Sequence, residues 1–366
     1  MAKLHPYEDP SRRCLKIHEW PEADQRAWSA ILQPGDILDG TVGAGFLWSD
    51  ATRGKYRKGY GRWLTFLIRA GHMDPGTSPS DRISSERVKA YIEELGQSVA
   101  SWTLWGRMAE LLAVANAFEP TGDWSWLRHI VRYLEANGRD SRNKFPYLRP
   151  AGEIAAWAFD RMDDIVADPP LRDPASHYRD ALIIALLITC PTMRLGNLTM
   201  IRIGRHLQTA GEGYRLNFSA SETKTDKPLS ISVPASLAAY LEYYIDIVRP
   251  ILVDGTDTDR LWITKYGEPM KGKSVYDRIT KVTERAFGKP INPHLFRDCA
   301  VTTVAIEDPE HIGIAAPILG HTDPRTTEKH YIQANAIAAG RRLRQSVDTL
   351  RKKHAPRHRR IPGENL

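Results

Sequence analysis

The sequence predicts a mainly α protein with one small antiparallel β-sheet. Three observations carry that expectation. Several segments repeat apolar residues at the helical period, the clearest running over residues 51–69. Residues 178–190 are apolar on nearly every side and read as a helix buried in a core. Only residues 214–218 and 229–233 alternate in the manner of strands, and the polar stretch 221–228 between them reads as a hairpin connection.

In chain order, residues 1–50 come first, where Pro6, Pro10, Pro21 and Pro34 exclude a long helix. The glycine-rich stretch 39–46 lacks the G-x-G-x-x-G spacing of a dinucleotide loop and reads as a plain loop. Over residues 51–69, a turn of 100° per residue gathers Tyr56, Tyr60, Trp63, Leu64 and Leu67 on one face. The opposite face collects Lys55, Lys58, Arg62 and Arg69 and reads first as a solvated face, while the absence of any acid between Arg53 and His72 shifts it toward a DNA phosphate surface. A Gly/Pro/Ser-rich loop over 71–81 gives way to a helix starting near Ser84 and Ser85, with Glu86 in its first turn. Helices are also predicted over 102–118 and 126–137, the latter stopped by Gly138, so residues 51–137 form a small helical bundle. Residues 138–150, with Arg139, Arg142, Lys144 and Arg149, read as a basic linker. Beyond it, helices are predicted over 153–166, from Ser236, over 274–287 and through most of the remainder.

Composition bounds the function. The 366 residues carry 51 Lys+Arg against 44 Asp+Glu, a formal charge of +7. That excess is local: residues 341–366 alone sum to +7, and residues 1–340 are neutral as a whole. At 42% hydrophobic and 26% charged, the chain has the mixture of a protein with real cores. Its longest apolar run, residues 181–190, falls far short of a membrane span, and residues 1–9 include Lys3, His5, Glu8 and Asp9, unlike a signal peptide. Cys14, Cys190 and Cys299 are odd in number and widely spaced, so neither a disulfide framework nor a metal site is expected. The expected location is cytoplasmic, with no membrane partner.

Four segments hold the candidate chemistry. In Pro293-His294-Leu295-Phe296-Arg297-Asp298, His294 and Arg297 stand three apart, on one face of a helix, where both can reach one anion. Thr192-Met193-Arg194-Leu195-Gly196 follows the buried helix, and an arginine leaving an apolar element needs a partner or a ligand. Leu319-Gly320-His321-Thr322 sets a histidine at a glycine turn, and ten residues later Tyr331 stands among polar neighbours.

In this order and spacing, the segments resemble the tyrosine recombinase (phage integrase) family. Its signature of Arg, Lys, His-x-x-Arg, His and Tyr is matched by Arg194, Lys224, His294 with Arg297, His321 and Tyr331. The resemblance covers roughly residues 51–340. It implies an N-terminal extension of unknown role (1–50), a helical SAM-like core-binding domain that binds DNA (51–145), a mixed α+β catalytic domain (146–340) and a basic C-terminal helix or tail (341–366). Lys55, Lys58, Arg62, Arg69, Arg142 and Lys144 are the DNA-contact candidates.

What the resemblance implies chemically suits these residue types. Tyr331 would attack a phosphodiester to form a 3′-phosphotyrosyl link, without metal or nucleotide cofactor. Arg194 and Arg297 offer fixed donors to the phosphate oxygens. Lys224 would protonate the leaving 5′ oxygen, with Lys227 the competing candidate. His294 would assist proton transfer from Tyr331, and His321 would donate to the phosphate. The chain departs from the pattern at several places. Asn197 stands where an acid is frequent, Thr192 where glycine is, and Asp298-Cys299 where His-Thr is; His321 and Tyr331 are one residue further apart than usual.

The implied partners are a double-stranded DNA site and a homotetramer linked through the C-terminal helix, where Ile337, Leu343, Val347 and Leu350 recur among arginines. Partner recombinases or accessory DNA-bending proteins, and a nucleoid setting, go with that reading. The alternatives are a type IB topoisomerase-like relaxing enzyme and a catalytically silent DNA-binding relative.

Overall fold

The structure is a computed structural model and describes residues 9–307 apart from 37, 39, 75, 140–142 and 212, together with 346, 347, 349 and 350. His321, Tyr331, Arg142 and nearly all of the basic tail lie outside the described residues. The chain divides into two compact units, Met1–Asn143 and Lys144–Leu366.

The first unit is helical. Two short 3-10 turns lead into α1 (Glu22–Ala30), followed by α2 (Asp50–Arg69), α3 (Ser85–Ser98), α4 (Ser101–Phe118) and α5 (Ser125–Ala136). Local chemistry sets the starts: Ser49 accepts from the Thr52 N–H ahead of α2, and Ser84 from the Arg87 N–H ahead of α3. From the sequence, residues 1–50 stand apart as an extension; in the structure their Leu15, Trp20, Trp28 and Ile31 share one core with Tyr60, Trp63, Leu64 and Leu67 of α2. The 39–46 stretch contributes neither helix nor strand among its described residues. Within this core Asp24 is fully buried and accepts from the Tyr60 hydroxyl at 2.6 Å and from Arg82 Nη2 at 2.7 Å. Gly61 lets the main chain of Leu15 lie directly on α2, where an added Cβ would meet the Leu15 carbonyl oxygen at 2.3 Å.

The second unit builds on α6 (Ala151–Ala167) and α7 (Pro174–Thr189). As the sequence predicts, α7 is the buried element, with Tyr178 and all ten residues of 179–188 enclosed. After it come α8 (Leu195–Met200) and an antiparallel sheet in the order β1 (Leu207–Ala210), β2 (Gly213–Phe218), β3 (Leu229–Ser232). The protein is thus mainly α with a small three-stranded sheet. Its register aligns Leu207, Leu216 and Ile231 across the strands, and this buried row faces the core. The edge strand β1 was not expected from the sequence, because only Leu207 of its four residues is buried and no alternation marks it. The chain continues through α9 (Ala235–Tyr243), α10 (Arg249–Val253), α11 (Gly272–Phe287) and α12 (Leu295–Glu307). A π-turn over Tyr244–Val248 joins α9 to α10, just before Pro250, which has no N–H to continue the helical ladder. Among the described residues no helix is long and apolar enough to cross a membrane.

Candidate active site

Arg194 and Arg297 come from different elements, and the charge of Arg194 acts on Arg297. Arg194 is the extended residue just before α8, and its carbonyl accepts the Leu198 N–H at 2.9 Å. Arg297 lies in the first turn of α12 and is buried, donating from Nη1 to the main-chain carbonyl of Thr192 at 3.0 Å. Burial, and then the positive charge of Arg194, lower the Arg297 pKa to about 10, while Asp298 opposes the shift. Among the described residues Arg194 has no acidic partner. Arg297 is thus tied to the segment that carries Arg194, near enough for the charge of one arginine to act on the other, and two cations so placed suit an anion.

His294 joins them from outside the helix. It was expected on one helical face with Arg297; instead it precedes α12 in a turn capped by Asn292, whose Oδ1 accepts the N–H groups of His294 at 3.0 Å and Leu295 at 3.2 Å. Desolvation, then Lys144, Arg297 and Arg194, hold the imidazole below its ordinary pKa, against the raising effect of Asp298. Asp298 is buried and pairs with Lys144 Nζ at 3.3 Å. Cys299 is fully buried and its thiol is pushed up to about 11 by burial, so it packs rather than reacts.

Lys224 and Lys227 both lie exposed on the β2–β3 connection, which opens with a 3-10 turn over Ala220–Glu222. Buried Thr223 closes the loop: its Oγ1 accepts the Lys227 N–H at 3.2 Å and donates to the Lys227 carbonyl at 2.7 Å. Asn197, at the position where an acid is frequent, is buried and donates from Nδ2 to the Glu222 carbonyl at 3.0 Å. That link ties the lysine turn to the helix just after Arg194. No residue pattern announces it, since its acceptor is main chain.

The cationic face of α2 is less open than its periodicity suggests. Arg62 is only 7% exposed, and its Nε and Nη2 are buried without hydrogen-bond partners. This corrects its placement on a solvated face: residues 59–67 are all enclosed, because partners cover α2 on more than one side. Arg69 pairs with Glu94 at 2.9 Å and Lys55 with Glu110 at 3.8 Å, acids supplied by α3 and α4. Lys58 is exposed and has no ion pair among the described residues. Lys144 is committed to Asp298, as above. Arg142, His321 and Tyr331 lie outside the described residues. Among the described residues no group of three or more His, Cys, Asp or Glu is arranged to hold a metal ion.

No family model matches the chain. It is 25% identical over 170 residues to the tyrosine recombinase XerD of Staphylococcus aureus (strain N315), covering 46% of this chain and 55% of the relative. The chain thus spans about half the length of that relative. To the tyrosine recombinase XerD of Staphylococcus saprophyticus it is 22% identical over 294 residues, covering 76% of this chain and 87% of the relative. In fold it is similar to a XerH site-specific recombinase bound to its palindromic difH substrate in a post-cleavage complex, with a TM-score of 0.53, 13% identity, and 80% and 78% of the two chains covered. A pre-cleavage complex of XerH gives a TM-score of 0.50 at 12% identity, with 76% of each chain covered.

Proposed function

We propose that the chain is a tyrosine recombinase, in keeping with its similarity to XerD and XerH recombinases, and that it is a site-specific DNA recombinase working through a 3′-phosphotyrosyl intermediate. The observation that carries the reading is the hydrogen bond tying Arg297 to the Thr192–Arg194 segment, with Arg194 and Arg297 both acting electrostatically on His294. In this reading the Tyr331 oxygen attacks a backbone phosphorus, and its proton passes to His294. The P–O5′ bond breaks, its electron pair leaves on O5′, and that oxygen takes a proton from Lys224. Arg194 and Arg297 hold the phosphate oxygens as charge builds on them, with His321 as a further donor. The bond energy stays in the phosphotyrosyl link, so attack by the 5′ hydroxyl of a second duplex rejoins the strands without metal or nucleotide.

The substrate is a double-stranded target site in the cell's DNA, gripped by exposed cations of the first unit such as Lys58. Tetramer assembly is assigned to the C-terminal segment 341–366, in the company of partner recombinases or DNA-bending proteins where the site requires them. Incubation with a nicked target duplex tests the proposal. A covalent protein–DNA adduct should form in the presence of EDTA and disappear in Tyr331→Phe. An adduct that survives in Tyr331→Phe sinks the nucleophile, and the absence of any adduct sinks the reading.

A further inference from the structure

Glu222 collects more partners than a surface turn needs. Its carboxylate accepts the Ser219 N–H at 3.0 Å, the Ser219 hydroxyl at 2.9 Å, Arg205 Nη2 at 2.5 Å and His206 Nε2 at 3.2 Å. His206 is itself buried and stacked on Phe218, with ring centroids 5.3 Å apart. Its Nδ1 accepts the Arg202 N–H at 3.0 Å, which leaves Nε2 as the nitrogen that donates to Glu222. The Ser219 N–H first, then His206 and the Ser219 hydroxyl, hold the Glu222 carboxyl down to about 2, so it is ionised throughout the working range. The same residue offers its main-chain carbonyl to Asn197 Nδ2 at 3.0 Å. Asn197 is buried one turn after Arg194, and Lys224 comes two residues after Glu222.

These contacts form one chain of connections, from Arg194 through Asn197 and Glu222 to Lys224. We infer that Glu222 is a positioning residue: its carboxylate fixes the 3-10 turn, and through the Asn197 link that turn sets the Lys224 amine against the arginine site. The inference rests on the reading of Lys224 as the group that protonates the leaving 5′ oxygen. A hairpin tip left to water would let a four-carbon lysine side chain and its main chain wander together, and proton transfer needs the donor within hydrogen-bond reach. Holding the main chain removes one of those two freedoms.

The test separates this role from a merely structural one. When O5′ is replaced by a bridging sulfur, the P–S bond breaks to give a thiolate, which leaves without a proton because thiols ionise near pH ~8.5. Adduct formation is measured on a nicked duplex with each linkage, alongside DNA affinity. In Glu222→Ala and in Asn197→Ala the ordinary linkage should react about tenfold or more slowly, in line with losses of supporting contacts. The sulfur linkage should react at nearly the wild-type rate, and affinity should hold. Glu222→Gln keeps an acceptor oxygen and should retain most of the ordinary rate. Equal slowing on both linkages, or no slowing on either, overturns the assignment. Asn197→Ala decides alone if Glu222→Ala does not fold. A wild-type protein that forms no adduct with either linkage overturns the recombinase reading itself, and this assignment with it.

Discussion

Arg297 donates to the main-chain carbonyl of Thr192 at 3.0 Å, and Arg194 follows two residues later. The hydrogen bond holds α12 to the segment leaving the buried helix α7, so packing sets the arginine pair. Burial is the larger reason the Arg297 pKa falls to about 10, and the charge of Arg194 adds to it, so the two cations repel. Relief comes when an anion sits between the two. Arg194→Ala is therefore expected to cut adduct formation by about 10²–10³, the range for losing one donor to developing charge. Thermal stability without DNA should not fall, because the substitution removes repulsion. Adduct kinetics and a thermal melt check both parts, and a clear drop in Tm would make Arg194 a structural residue.

His294 supplies a pH signature. Its imidazole accepts a proton only when neutral, and its pKa lies below the ordinary histidine value, so the neutral form persists to lower pH than usual. The rate of adduct formation should hold through neutrality and decline only below the ordinary histidine range. Lys144→Met removes a cation that lowers this pKa, which moves the declining limb to higher pH. Asp298→Asn should move it lower. A pH–rate profile unchanged in both variants would remove His294 from the proton path.

Much of this was legible in the sequence, and what was not has physical causes. Helix α2 follows from its apolar period, and α7 from its unbroken apolar character. The residue types of the arginine site are legible from their order and spacing. Arg62 was misplaced because periodicity identifies a single buried face, whereas Leu15 lies on Gly61 and Glu110 on Gly59, enclosing α2 from further sides. The partners of Lys55 and Arg69 come from distant helices, so an acid-free stretch of sequence said nothing about them. The links that assemble the site, Arg297 to Thr192 and Asn197 to Glu222, end on main-chain carbonyls, which leave no residue signature. Strand β1 is a four-residue edge recognisable only through its pairing with β2.

The first unit carries a stability prediction. Asp24 is fully buried between Tyr60 and Arg82, itself fully buried, and the carboxylate drives the Tyr60 hydroxyl well above its ordinary pKa, second to burial itself. Asp24→Ala would leave the Arg82 charge buried without its counter-ion. Breaking such a pair costs about 3–5 kcal/mol. Denaturant unfolding of the intact chain should show a loss of that order, with the transition of the first unit moving to lower denaturant. A loss below about 1 kcal/mol, the scale of an exposed pair, would show that the triad is solvated.

The α2 cations should separate in a salt titration of DNA binding. Each phosphate neutralised contributes about −0.9 to the slope of log Kobs against log salt. Lys58, like its neighbour Arg57, is exposed and without an ion pair among the described residues, so Lys58→Ala should flatten the slope by about 1. Arg69→Ala should flatten it less, because its guanidinium already neutralises Glu94. Arg62→Met should leave the slope unchanged. The arginine is buried with two nitrogens unsatisfied, so an apolar side chain of similar length should also leave stability unchanged or raise it. If Arg62→Met flattens the slope as much as Lys58→Ala does, Arg62 reaches phosphate in the complex, and α2 must open to DNA more than its packing in the free protein allows.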